Sequence, residues 1–244
     1  MKKIILHLKT HKVKYILGLI FVLFVGGVSF RQILDKHTRK RKERIEYIVV
    51  HYTANFHPKA NAEMNARYLQ RARNAGCHYA VDDEEIIQCV PETEVAFAVG
   101  DRKWFGFIPK PWLKGKVFNE NSLSYEMCLG GGRNDSLIVD MTARSIAWQM
   151  IDKGFVRLET VQLWSAAQGK VVTLYRKVPD VSRVIRHHDV SGKQCPKFFY
   201  KQNWNQKQED NAFCKFKLLV DKYVREKIQN NEISNFSAIK TSNK

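Results

Sequence analysis

No two of the five cysteines stand in a CxxC pair; Cys77, Cys89, Cys128, Cys195 and Cys214 are scattered along the chain. That excludes a small secreted disulfide scaffold. The odd number leaves at least one thiol free, ligated or paired between chains. Internal repeats are absent. Aromatic residues are absent from the basic run KHTRKRKER at 36–44. Nucleic-acid binding calls for cations interleaved with aromatics on one folded face, so no specific nucleic acid is expected. Charge is absent from Tyr15 to Phe30, a run of sixteen residues inside VKYILGLIFVLFVGGVSF. No convincing small-x-small cleavage site follows that run.

The chain has 244 residues and a formal charge of +17. Its length suits one good-sized domain with extensions. Residues 1–44 carry twelve Lys/Arg and two Asp/Glu, so they supply about +10 of the excess. The organisation expected is a basic N-terminus at 1–14, a transmembrane signal anchor at 15–34, a basic linker at 35–44, a folded domain at 45–229 and a disordered tail at 230–244. Sixteen uncharged residues fall short of the roughly 20 that span a bilayer, so Ile33 and Leu34 extend the anchor in this reading. Lysines before the run and a denser basic cluster after it leave orientation open under the positive-inside rule.

Within the domain, IEYIVVHYT reads as a buried strand carrying His51 near its end. ANAEMNARYLQRARN at 60–74 reads as a helix stopped by Gly76. CHYAVD and IIQCVP read as a hairpin turning at Asp83 and Glu84. Residues 101–121 form a long loop holding Trp104, Phe105, Phe107 and Trp112, and long loops within compact domains are often functional. SLSYEMCL is a strand, 136–153 a helix, 155–180 helical at first and then without an assigned element, SRVIRHH a strand, and 208–229 a final helix. Strands and helices mix without strict alternation. The fold class expected is α/β (mixed α+β): one domain with a central mixed sheet flanked by helices.

His51 ends one apolar strand, and the histidine pair His187–His188 ends another. Cys195 follows past a turn at Gly192 and can fold back toward them. Two imidazoles and one thiolate leave a tetrahedral zinc with one open position, as catalytic rather than structural sites have. Alternation along a strand puts His187 and His188 on opposite faces, so only one ligates, and the spacing does not choose between them. Hydrolysis at such a centre also needs a general base and an oxyanion stabiliser. Glu126, a carboxylate among apolar strand residues, is the candidate base; Lys193 is the candidate stabiliser.

Three blocks carry a family resemblance: YIVVHYTAN at 47–55, CHYAVDDEEIIQCVPETEVAFAVGD at 77–101, and SLSYEMCLGG followed by RHHDVSGKQCP. They resemble the zinc-dependent N-acetylmuramoyl-L-alanine amidases of the type-2 family, which includes phage amidases, bacterial autolysins and animal peptidoglycan recognition proteins. The resemblance implies Zn2+ held by His51, His187 and Cys195, and so prefers His187 over His188. It implies Glu126 and Lys193 as catalytic groups. It implies peptidoglycan as substrate, cut between N-acetylmuramic acid and L-alanine. There are departures. Cys77 stands where many members have a catalytic tyrosine, the strand reads S-L-S-Y-E rather than S-I-G-I-E, and Lys197 replaces a small residue.

The loop tryptophans Trp104 and Trp112 are candidates for binding glycan or stem peptide. His78 is expected to be structural, and Cys89 and Cys128 buried thiols. A non-catalytic peptidoglycan receptor and a zinc peptidase cutting within the stem peptide are the competing functions. A monomer is expected, attached to the cytoplasmic membrane by its single N-terminal span with the domain facing outward.

Overall fold

The computed structural model describes residues 29–100, 108, 110–196 and 206–241. Ten strands and four α-helices follow one another in the order β1 (Ser29–Gln32), β2 (Arg39–Lys40), β3 (Tyr47–Tyr52), α1 (Ala62–Leu69), β4 (Tyr79–Val81), β5 (Glu85–Gln88), β6 (Glu94–Val95), β7 (Ser122–Met127), α2 (Asp135–Asp152), β8 (Val156–Ser165), β9 (Lys170–Pro179), β10 (Val184–Arg186), α3 (His187–Ser191) and α4 (Gln206–Thr241). Six of the strands form the central sheet in the order β1-β5-β4-β7-β3-β10. β4, β7, β3 and β10 run parallel, and β5 is antiparallel to β4. The mixed sheet expected from the sequence is therefore present.

Strand alternation divides the apolar side chains between two layers. Ile48, Val50, Tyr79, Val81, Leu123, Tyr125 and Met127 face α2 and α4, where Ile138, Ile146, Met150, Phe213, Val220 and Val224 complete the main core. The opposite face is covered by α1 and the loops. There Ala62, Ala66, Ala80, Ile87, Cys77, Cys89 and Cys128 pack in one cluster, and Val49, Val99, Leu113, Val117, Ile185 and Val190 in another. Cys89 and Cys128 are buried thiols as expected, and all five cysteines are free. α1 starts at Asn61, whose side chain accepts from the Met64 N–H, an ordinary N-cap.

Four expectations give way. Residues 29–44 are neither the end of an anchor nor a linker. Ser29–Gln32 pairs in parallel with β5, and Arg31 is ion-paired with Glu85 and Glu63. Arg39–Lys40 pairs with β6. The Arg41 guanidinium donates to the carbonyls of Glu92 (2.9 Å), Glu94 (3.0 Å), Ser122 (3.0 Å) and Glu120, so this basic residue ties loops together from inside. Residues 15–28 of the expected anchor lie outside the described residues. No helix among the described residues is long and apolar enough to cross a membrane.

The second correction concerns 155–180. Its first part is not the expected helix, and the whole stretch forms an antiparallel ribbon, β8 with β9, ten residues to a strand. Spaced β-branched and aromatic residues on both sides of an Ala-Gln-Gly turn favour the extended form over the helix. Third, α4 continues past Asn230 to Thr241, because nothing in NNEISNFSAIKT is a proline or glycine that would stop it. Fourth, the strand expected over SRVIRHH ends at Arg186, and both histidines open a helix.

A chain starting at Ile45 would lack β1, β2 and the Arg41 tie. It is expected to aggregate or melt well below a chain starting at Ser29, which keeps all three. Thermal melts of the two truncations check this.

Candidate metal centre

His51 is the fifth residue of β3, and parallel pairing sets it directly beside Glu126 on β7. Paired residues on neighbouring strands project from the same face, so His51 and Glu126 both point toward the α1 and loop layer. β10 pairs with β3 on the other side and ends at Arg186, opposite Val50. His187, the first residue of α3, thus arrives at the His51 end of the sheet. Gly192, with φ of +77°, ends α3 in the left-handed region that glycine adopts without strain. The chain then turns back, and the His188 N–H donates to the Cys195 carbonyl at 2.8 Å. That closure brings Cys195 to the histidines.

The donor atoms of His51, His187 and Cys195 all lie within 4.8 Å of one another, and all three residues are buried. Cys195 Sγ stands 3.8 Å from His51 Nδ1, and the two imidazole rings lie 4.6 Å apart. His187 Nε2 lies 3.2 Å from the Val99 carbonyl oxygen. A carbonyl only accepts, so Nε2 carries the proton and Nδ1 is left with its lone pair. His187 Nδ1 is buried and without a hydrogen-bond partner. A ligating histidine held by a carbonyl on its other nitrogen has this arrangement.

Electrostatics favour the same use. Burial holds His51 well below the ordinary histidine range, and the nearby His187 and Lys193 charges add to it. Burial likewise brings His187 down to about 4. Both rings are therefore neutral, as ligands must be. Burial pushes the Cys195 thiol up, and Glu126 pushes further the same way. A cation among the three donors would offset that cost. Two imidazoles and a sulfur form a set that suits zinc. The residues present fit the ion that the sequence implies.

Burial also raises the Glu126 carboxyl to about 7, opposed in part by Lys193. Glu126 Oε2 is buried with no partner. Such a group is poised to exchange a proton near neutral pH. Lys193 is exposed on the return loop. Its positive charge influences His51, His187, Glu126 and Cys195 together, which places it in the neighbourhood of the cluster.

The structure brings together His51, His187, Cys195, Glu126 and Lys193. His188 is separated from His187 by helical rotation rather than strand alternation, and its Nδ1–H donates to the Lys193 carbonyl at 3.0 Å. His78 is structural: its Nδ1 accepts from the Ser124 N–H at 3.0 Å, and burial holds it at about 3. Trp112 sits in a short 3-10 turn at Pro111–Leu113 and is 62% exposed. Trp104, Phe105 and Phe107 lie outside the described residues.

Sequence reasoning missed an ion-pair lock beside the ligands. Arg186 and Asp189 are both fully buried and paired at 2.6 Å. Asp189 also accepts from the Arg186 N–H at 3.0 Å and from Lys110 Nζ at 2.9 Å, while Arg186 reaches Asp210 at 2.7 Å. The signal was an acid three residues after the residue preceding a helix, a capping-box spacing. Asp189→Asn would leave the Arg186 charge without its closest counter-charge. Breaking a buried pair costs about 3–5 kcal/mol. A clear fall in the urea midpoint is expected, measured on metal-free protein.

The chain is similar to known proteins. The type-2 family model described as N-acetylmuramoyl-L-alanine amidase matches residues 41–198. The N-acetylmuramoyl-L-alanine amidase CwlL of Bacillus licheniformis is 29% identical over 161 residues, which cover 62% of this chain and 36% of that protein. The N-acetylmuramoyl-L-alanine amidase CwlA of Bacillus subtilis strain 168 is 24% identical over 156 residues, 63% of this chain and 43% of that protein. The chain thus spans about two-fifths of the length of these curated relatives. A mutant endolysin from Bacillus subtilis has the same fold, with a TM-score of 0.55 at 20% identity over 79% of this chain and 99% of that one. The family match takes in more than half of the sequence, including every residue of the candidate metal centre, and the chain belongs to the type-2 N-acetylmuramoyl-L-alanine amidase family.

Proposed function

We propose that this protein is a zinc-dependent peptidoglycan amidase that hydrolyses the bond between N-acetylmuramic acid and L-alanine. The observation that carries the reading is the gathering of His51, His187 and Cys195 beside a carboxyl poised near neutrality, Glu126. Zinc held by those three residues would act as a Lewis acid toward water and the scissile carbonyl. Glu126 takes the proton of the attacking water and returns it to the leaving amine. The Lys193 ammonium offers its hydrogens to the oxygen that gains negative charge. Val99 keeps the His187 ring in register through its carbonyl. Trp112, exposed near α3, offers a flat face to glycan or stem peptide.

Peptidoglycan lies outside the cytoplasmic membrane. In this reading the apolar run before Ser29 carries the domain there and attaches it to the membrane. Digestion of purified peptidoglycan by the full chain, with and without chelator, tests the proposal. Mass analysis should find fragments with a free L-alanine amine and intact lactyl groups on the glycan, and chelator should stop their release. Cleavage inside the stem peptide, or no cleavage by zinc-loaded protein, would reject it.

A further inference from the structure

The β8–β9 ribbon takes no part in the chemistry above, and its surface is unusual. At ten residues a strand it reaches about 33 Å. Its base is anchored: Val178 and Pro179 are buried, and the Arg225 charge on α4 reaches Glu159. Beyond the base both broad faces meet solvent. Leu158, Trp164, Val171 and Tyr175 share one face and are 66%, 68%, 56% and 70% exposed. Trp164 stands directly opposite Val171, next to the turn. Leu163, on the other face, is 49% exposed. A free two-stranded ribbon is marginally stable in water, and an apolar patch of this kind marks a docking surface.

Charge identifies the occupant. The ribbon holds four cations, Arg157, Lys170, Arg176 and Lys177, and one acid, Glu159. Glu159 is already paired with Arg176 at 2.7 Å. Arg157, Lys170 and Lys177 are exposed and form no salt bridge among the described residues. Two copies packed ribbon to ribbon would set these unpaired cations against each other, which disfavours a second copy. Branched aliphatics cannot stack flat on sugar rings, which disfavours a glycan. A tryptophan and tyrosine beside aliphatics, with lysines and an arginine whose stems let their charges reach outward, match the interface of an anionic bilayer. We propose that the β8–β9 ribbon is a membrane-docking arm that sets Trp164, Val171 and Leu163 into the interface of an anionic lipid bilayer.

The test must be local to the arm, since the N-terminal apolar run of the full chain can itself bind lipid. Cys214 is the exposed cysteine. In a full-length Cys214→Ser background, a cysteine introduced at Gln168 in the turn carries a polarity-sensitive dye. A second protein carries the dye at Ser136 instead, on α2. On phosphatidylcholine vesicles containing phosphatidylglycerol, the dye at 168 should shift to the blue and the dye at 136 should not. Pure phosphatidylcholine should give little shift at either position. The surface variant Lys170→Glu with Lys177→Glu should lose the shift, as should Trp164→Ser with Val171→Ser. Circular dichroism verifies that each remains folded. A dye at 168 that stays in a watery environment while the chain sediments with anionic vesicles overturns the proposal. So does an equal shift on neutral vesicles. A shift without vesicles that grows with protein concentration points instead to a second copy, and one produced by insoluble wall glycan points to a sugar ligand; either overturns it.

Discussion

Cys195→Ala is expected to purify almost free of zinc and to release no peptidoglycan fragments. The variant removes one of three donors from a buried cluster, leaving two neutral imidazoles. Loss of an outer partner typically costs roughly 10–100-fold in metal affinity, and loss of a ligand costs more. Folding should survive, because the sulfur lies in the return loop rather than in either sheet layer and its removal spares the backbone bond from His188 to Cys195. His51→Ala should behave likewise. Competition against a chelating dye gives the affinity, and thermal melting gives the fold. Near-wild-type zinc affinity in either variant would remove that residue from the ligand set.

Glu126→Gln is expected to separate metal from rate. Zinc content should be unchanged, since no oxygen of Glu126 belongs to the donor cluster. The turnover of peptidoglycan should fall by about 10²–10⁴, the usual contribution of a positioned acid–base. The same variant has a signature in metal-free protein. The folded carboxyl titrates at about 7 against 4.5 for a free one, so between those values the folded state holds the extra proton. The stability it contributes is fully present below 4.5 and is lost as pH rises through 7. His187 acts with the opposite sign, its lowered value favouring the fold above 6.5 and costing stability as pH falls to about 4. Replacing Glu126 with Gln removes the first effect and keeps the second. The variant should therefore be more resistant to urea than wild type at pH 8 and gain nothing at pH 4. A gain at both would mean that Glu126 destabilises the fold by shape rather than charge.

Much of the site was legible because its chemistry sits on strong local signals. A histidine ending VVHYT, a glutamate in SLSYEMCL and a cysteine past a glycine turn are residues that burial makes costly unless they are used. Their convergence was not legible. It depends on the pairing of β3 with β7 on one side and with β10 on the other, set by contacts distant in sequence. The Arg186–Asp189 lock was missed because a buried ion pair and a solvated one look alike in a sequence. β1 was missed because Ser29 and Phe30 close the uncharged run read as an anchor, and β2 because it is two basic residues whose pairing with β6 shows only in three dimensions. In the ribbon, local composition was read with the wrong period. Its strands lie apart from the main sheet, so no burial pattern of the core marked them.

The pairing of His51 with Glu126 makes the β3–β7 ladder a ruler for the proposed chemistry. Side chains change face at every step, so slipping β3 by one residue would turn His51 into the α2 and α4 layer and present Val50 or Tyr52 in its place. Hydrophobic burial on that layer penalises the same slip, since Ile48 and Val50 would leave the core. A single insertion or deletion inside 47–52 or 122–127 is therefore expected to destroy the fold and the proposed reaction together. The ribbon, hung outside both layers, can change length without touching either. In this chain the segments where length must be kept and those where it can drift are set by which strands the reaction measures itself against.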